Sequence, residues 1–118
     1  MESLGKINLK DEANWEKIEK SMIEVINSLN GTANNIKDSR YVIAGKTGTA
    51  QIKSYEDQEY EDIRENPFFR DHALFVGYAP VPYPELLILV IIENGESGSR
   101  VAAPIAKAGF DYYLTKNE

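Results

Sequence analysis

Leu86 to Ile92 reads Leu-Leu-Ile-Leu-Val-Ile-Ile, seven consecutive aliphatic residues with no charge, glycine or proline. The run is far short of the roughly 18 apolar residues that a membrane span requires. Both parities along it are apolar, so it predicts a strand covered on both faces rather than one half-exposed. Just before it, His72 to Ala79 (His-Ala-Leu-Phe-Val-Gly-Tyr-Ala) reads as a second strand, and Pro80, Pro82 and Pro84 make a stiff turn between the two. Strands joined so closely pair as an antiparallel hairpin.

Other elements must cover that hairpin. From Asp11 to Leu29 the apolar residues Trp15, Ile18, Met22, Val25, Ile26 and Leu29 recur at helical spacing. Asp11 and Glu12 suit a helix N-terminus, and Asn30-Gly31 a stop. Trp15 is expected to anchor the helix in the core. Residues 30–40 are polar and turn-rich, and Tyr41 to Ile52 reads as a strand with an apolar entry. Asn94 to Ser99 reads as a Gly- and Ser-rich loop. Pro104 opens a last helix with Ile105, Ala108 and Tyr112 on one face and Phe110, Tyr113 and Leu114 alongside. The order helix, strand, long loop, strand, strand, helix predicts an α+β fold: a small antiparallel sheet of about three strands, with both helices on one face.

The long loop, residues 53–71, is acidic. Glu56, Asp57, Glu59, Glu61, Asp62, Glu65 and Asp71 face only Lys53, Arg64 and Arg70, so it holds −4 of the chain's net −6. A connection beyond about 12–15 residues is usually a functional flap or a solvated excursion. Tyr55, Tyr60, Phe68 and Phe69 are the side chains able to pin it. The 118 residues suffice for one domain with one core, and the net negative charge excludes a nucleic-acid surface. There is no cysteine and one histidine, His72. A metal site would therefore need carboxylates such as Asp71; the expectation is no metal and no cofactor, with His72 hydrogen-bonded at a strand start.

The chemistry is concentrated in Ile43-Ala44-Gly45-Lys46-Thr47-Gly48-Thr49-Ala50-Gln51. Glycines inside a strand weaken it unless something must approach the backbone closely. A cation beside two hydroxyls suits a carboxylate. Alternation puts Thr47 and Thr49 on one face and Lys46 on the other, so Lys46 shares their site only if the strand lies at a sheet edge. Gly45-Lys46-Thr47 also matches the end of a phosphate-binding loop. That loop needs a glycine five positions before Gly45, where this chain has Arg40, and a following helix, where this chain continues as strand.

Lys-Thr-Gly is one of three motifs of penicillin-binding proteins and serine β-lactamases, and the string Ala44 to Gln51 resembles its class B penicillin-binding protein form. Three further segments resemble the same family in order: Trp15…Met22…Val25…Gly31-Thr32-Ala33, then Asp71 to Pro80, then Glu93-Asn94-Gly95 with Ala102-Ala103-Pro104. The resemblance covers nearly the whole chain and is strongest to the penicillin-binding protein 2 branch. It implies that residues 1–118 are the C-terminal portion of a transpeptidase domain, a partial fold of that type. The parent it implies is a peptidoglycan D,D-transpeptidase of cell elongation, on the periplasmic side of the bacterial inner membrane. Its partners would be peptidoglycan stem peptides, β-lactams and the elongation machinery. Lys46 would take a catalytic electrostatic role; Lys46, Thr47, Gly48 and Thr49 would bind substrate, with the Thr49 N–H in the oxyanion hole.

The family's other two motifs have no counterpart in the right context. Ser3-Leu4-Gly5-Lys6 fits Ser-x-x-Lys and Ser28-Leu29-Asn30 fits Ser-x-Asn, but both stand too near Lys46 and both read as decoys. The expectation is one wall of an active site, inactive alone, within an excerpt of a membrane-anchored protein. The excerpt itself reads as soluble and self-associating through the open edge of the Leu86–Ile92 strand. The rival reading is a non-catalytic interaction module using the acidic loop.

Overall fold

A computed structural model of the chain describes Gly5 and residues 8–52 and 65–116. Among these are helix α1 (Ala13–Asn27), strands β1 (Ala44–Ala50), β2 (His72–Ala79) and β3 (Leu86–Ile92), and helix α2 (Ala103–Leu114). Single helical turns at Asn34–Ile36, Pro67–Phe69 and Gly98–Ala102 connect them. The sheet is antiparallel in the order β1-β2-β3, with Gly48 opposite Leu74 and Phe75 opposite Val90. The predicted hairpin is present, and β1 is an edge strand. No described helix is long and apolar enough to cross a membrane.

β2 alternates strictly, burying Ala73, Phe75, Gly77 and Ala79 toward α2. α2 gets close because the residues it turns to the sheet are small. Ala103, Ala106 and Phe110 are buried, and a Cβ on Gly109 would come within 2.7 Å of Ile88 Cδ1. Of the large apolar residues on this helix, Phe110 is the one fully buried, while Ile105 is 51% and Tyr112 71% exposed. Closeness of approach, not side-chain size, selected the buried side.

Of α1 the last turn reaches the core beside Phe75, through Ile26 with Val25 packed against it, and shares that core with α2 and with Ala33, Ile36, Tyr41 and Ile43. The middle of α1 lies on the opposite face, where the Tyr78 hydroxyl donates to Glu19 Oε1 at 3.3 Å. The helices thus flank the sheet instead of sharing one face. Trp15 is not a core anchor; it lies half exposed along an open stretch of α1. β3 is covered on one face only. Leu86, Ile88, Val90 and Ile92 pack toward α2, while Leu87, Leu89 and Ile91 are 64%, 59% and 56% exposed, since no described element lies over them.

β1 begins three residues later than expected, because Tyr41 to Ile43 are held by contacts other than a strand ladder. Tyr41 Oη donates to Asp111 Oδ1 at 2.8 Å, and the Val42 carbonyl accepts from Val81 N–H at 3.0 Å. Asp38 and Arg40 form a two-pronged pair (2.9 and 2.7 Å), and Lys107 bridges Asp38 at 2.7 Å and Asp111 at 2.6 Å. The bonds from Arg40 and Lys107 hold the Asp38 carboxyl far below the usual carboxylate range. Burial and the neighbouring Asp111 carboxylate push the Tyr41 phenol up to about 12. This cluster ties the lead-in of β1 to α2.

Candidate functional site

Edge position is what the sequence required for Lys46 and Thr47 to act together, and β1 has it. Lys46 is exposed, and its Nζ folds back along the strand to donate to the Thr47 carbonyl at 2.6 Å. The ammonium thereby returns to the level of the next residue although its Cβ lies on the other face. Thr47 is half-buried, and its Oγ1 shares a hydrogen bond with Thr32 Oγ1 at 3.3 Å. Thr49 is exposed. One cation, two hydroxyls and an unpaired strand edge can hold a carboxylate and line up an extended peptide beside it.

Thr32 is a contact that sequence reasoning missed. It lies in the Gly31-Thr32-Ala33 turn after α1, which is fixed by Ala33 N–H donating to the Val25 carbonyl at 2.9 Å. The turn is tight against α1, since a Cβ on Gly31 would sit 2.3 Å from the Val25 carbonyl oxygen. Only the tertiary path of the chain brings Thr32 to Thr47, 15 residues on.

On the α1 side, Lys46 closes a groove of about 340 Å³ with Lys17, Ile18, Ser21, Met22 and Val25. A second hollow of about 520 Å³, beside Glu19, Tyr78 and Glu85, lies over the end of β2 and the start of β3 and is bordered by carboxylates. An acidic border repels an anionic ligand, so the Lys46 side is the one suited to a carboxylate.

The two formal serine motifs stand apart from this site. Ser28 Oγ donates to the Glu24 carbonyl at 2.7 Å, as a helix-end serine does, and next to it Leu29 is fully in solvent. Of Ser3 to Lys6 only Gly5 is among the described residues, so Ser3 lies outside them. Residues 53–64, most of the acidic connection with Tyr55 and Tyr60, also lie outside them. Its end is fastened through the backbone: Asn94 Nδ2 donates to the carbonyls of Phe68 and Arg70, each at 3.0 Å. The Phe68 ring, expected to pin the segment, points into solvent. His72 sits at the start of β2, where its Nδ1 accepts from Asn94 N–H at 3.0 Å.

The chain matches the family of the penicillin binding protein transpeptidase domain over residues 3–111, and it belongs to that family. Within it, the peptidoglycan D,D-transpeptidase MrdA of Acinetobacter baumannii is 46% identical over 112 residues, covering 93% of this chain and 16% of that protein. The MrdA of Haemophilus influenzae is 41% identical over 112 residues, covering 93% of this chain and 17% of its own. The structure of Pseudomonas aeruginosa PBP2 in complex with WCK 5153 superposes with a TM-score of 0.78 at 40% identity, over 98% of this chain and 23% of that one. The chain therefore spans a small part of the curated relatives it matches. These relatives do not favour the interaction-module reading.

Proposed function

We propose that this chain supplies the Lys-Thr-Gly wall of a peptidoglycan D,D-transpeptidase that works in cell-wall elongation. The observation that carries this reading is the arrangement of Lys46, Thr47 and Thr49 on an exposed sheet edge in a chain of this family. The stem peptide lies extended along β1. Lys46, Thr47 and Thr49 hold its terminal carboxylate, Gly48 lets its backbone come close, and the Thr49 N–H donates to the developing oxyanion. A serine belonging to the rest of the transpeptidase attacks the D-alanyl-D-alanine carbonyl. The C–N bond breaks, D-alanine leaves with its amine protonated, and a seryl ester remains. An amine of a neighbouring strand attacks that ester, forms the new amide and restores the serine. β-Lactams, with a carboxylate and a strained amide, enter as mimics of the same substrate.

The residues of this chain bind and polarise; the nucleophile comes from elsewhere in the domain. The whole protein acts where its polymer is, on the periplasmic side of the inner membrane. Its partners include the elongation machinery, a reading supported by the Helicobacter pylori PBP2 structure solved as a complex with MreC, 30% identical over 92% of this chain with a TM-score of 0.69. Intact-mass measurement after incubation with excess penicillin tests the division of labour. The chain alone is expected to carry no adduct, and the complete domain one penicilloyl group per molecule. A stoichiometric adduct on the chain alone would overturn the reading and make Ser3 the first suspect.

A further inference from the structure

Behind the Lys-Thr-Gly strand lies a contact that no side chain makes. Gly98 is buried, and a Cβ built on it would lie 2.3 Å from the Leu74 carbonyl oxygen, 2.8 Å from the Gly48 carbonyl oxygen and 3.2 Å from the Gly48 nitrogen. Leu74 and Gly48 are partners in the β1–β2 ladder. All three atoms are backbone, so no rotamer change could make room. The Cβ position of Gly48 points the other way, toward Leu74 Cβ at 3.3 Å. Gly98 thus meets the ladder on the Phe75 face, at the level between Thr47 and Thr49, whose side chains share that face by alternation.

The turn bearing Gly98 is held independently of β1. Gly98–Ala102 is a wide π-type turn in which the Ala103 N–H donates to the Gly98 carbonyl. Val101 N–H donates to the Ser97 carbonyl at 2.9 Å, and Asn35 Nδ2 to the Ser99 carbonyl at 2.9 Å. Glu96 N–H donates to the Asp71 carbonyl at 2.8 Å, just ahead of β2. Wide turns of this kind recur at functional sites because they set a backbone position that a regular helix cannot.

We propose that Gly98 is a positioning residue for the transpeptidase site: its backbone is the stop against which Gly48 rests, and it fixes where Thr47 and Thr49 meet the substrate carboxylate. This rests on the function proposed above. Any side chain at position 98 presses on the backbone of both paired strands, at Leu74 and at Gly48, and displaces β1 from its seat, and the loss falls on ligands that need the carboxylate contact.

The test uses the complete transpeptidase domain carrying this chain, with benzylpenicillin and its methyl ester as probes. The readout is the ratio of their acylation rates. Gly98→Ala is expected to lower the acid-over-ester preference on the order of tenfold, the worth of a lost hydrogen bond to a charged group. Gly109→Ala is the control: its Cβ meets only the mobile end of Ile88, so it perturbs packing away from β1 and leaves the ratio unchanged. Asn35→Ala loosens the turn without adding an atom and guards against misfolding of Gly98→Ala; it is expected to lower the ratio about threefold. If Gly98→Ala folds, an unchanged ratio, or equal slowing with both probes, overturns the proposal. If it does not fold, an unchanged ratio in Asn35→Ala does so. If the unmodified domain is acylated by neither probe, the functional reading fails, and the positioning role with it.

Discussion

Lys46 and Thr47 point from opposite faces of a strand, yet the ammonium of one rests on the carbonyl of the other. Only an edge strand allows this, because a neighbour on that side would fill the path of the lysine stem. The neighbouring hydroxyl is oriented from outside the strand by Thr32. Replacing Thr47 with valine keeps the shape and removes the hydroxyl. In the complete domain it is expected to slow penicillin acylation about 10- to 150-fold, since a hydrogen bond to a charged group contributes about 1.5–3 kcal/mol; stopped-flow acylation measures it. Asp38 offers a separate test at this scale. Its carboxyl is held low by Arg40 and Lys107, so it stabilises the fold above the unfolded value of about 3.9 and loses that effect as pH falls below it. Asp38→Asn should cost stability at pH 6 and 7, and the gap to the parent should close as pH drops from about 4 toward 2. Urea denaturation across that range gives the answer; a gap independent of pH would rule out the charged pairing as its source.

At the scale of elements, α2 shows how small residues can outweigh large ones. Its sheet-facing side is Ala103, Ala106, Gly109 and Phe110, while Ile105 and Tyr112 face away. Phe110→Ala is expected to destabilise the chain by about 3–5 kcal/mol, and Ile105→Ala by less than about 0.5 kcal/mol, both by chemical denaturation. Apolar spacing alone puts Ile105 and Phe110 on adjoining faces of the helix and does not say which one is buried. The strands were legible for the opposite reason: the aliphatic run of β3 and the turn prolines before it are local signals, as is the amphipathic spacing of α1. The Lys-Thr-Gly strand was also legible, down to its need for an edge. What stayed hidden depends on path. Thr32 meets Thr47 and Asn94 meets Phe68 and Arg70 only after the chain has folded back. Gly98 looked like ordinary loop glycine, because a backbone contact leaves no side-chain signal.

Among the described residues the molecule is a sheet with one face finished by α2 and the other covered by α1 only toward β1, leaving it open over β3. β3 ends the sheet on its far side with seven uncharged residues, and its open face carries Leu87, Leu89 and Ile91. Such an edge pairs readily with another chain, so we propose that the isolated chain self-associates there. Sedimentation is expected to show concentration-dependent dimers, abolished by Leu89→Lys, which places a charge on the exposed face of the strand. A strictly monomeric chain at high concentration would count against the idea. The charge cluster around Asp38 and Lys107 plays the complementary part, fastening α2 to the lead-in of β1 within one copy.

The meeting of Gly98 with Gly48 also bears on how such chains can be recombined. The joint is made of main chain on both sides, so it asks for no particular pair of side chains, only for glycine at position 98. A chimera that takes β1 from one relative and the Gly98–Ala102 turn from another keeps the joint intact without any compensating substitution. A crossover placed between residues 49 and 97 should therefore preserve this joint, whereas one that brings in a larger residue at 98 should not, whichever parent supplied the rest.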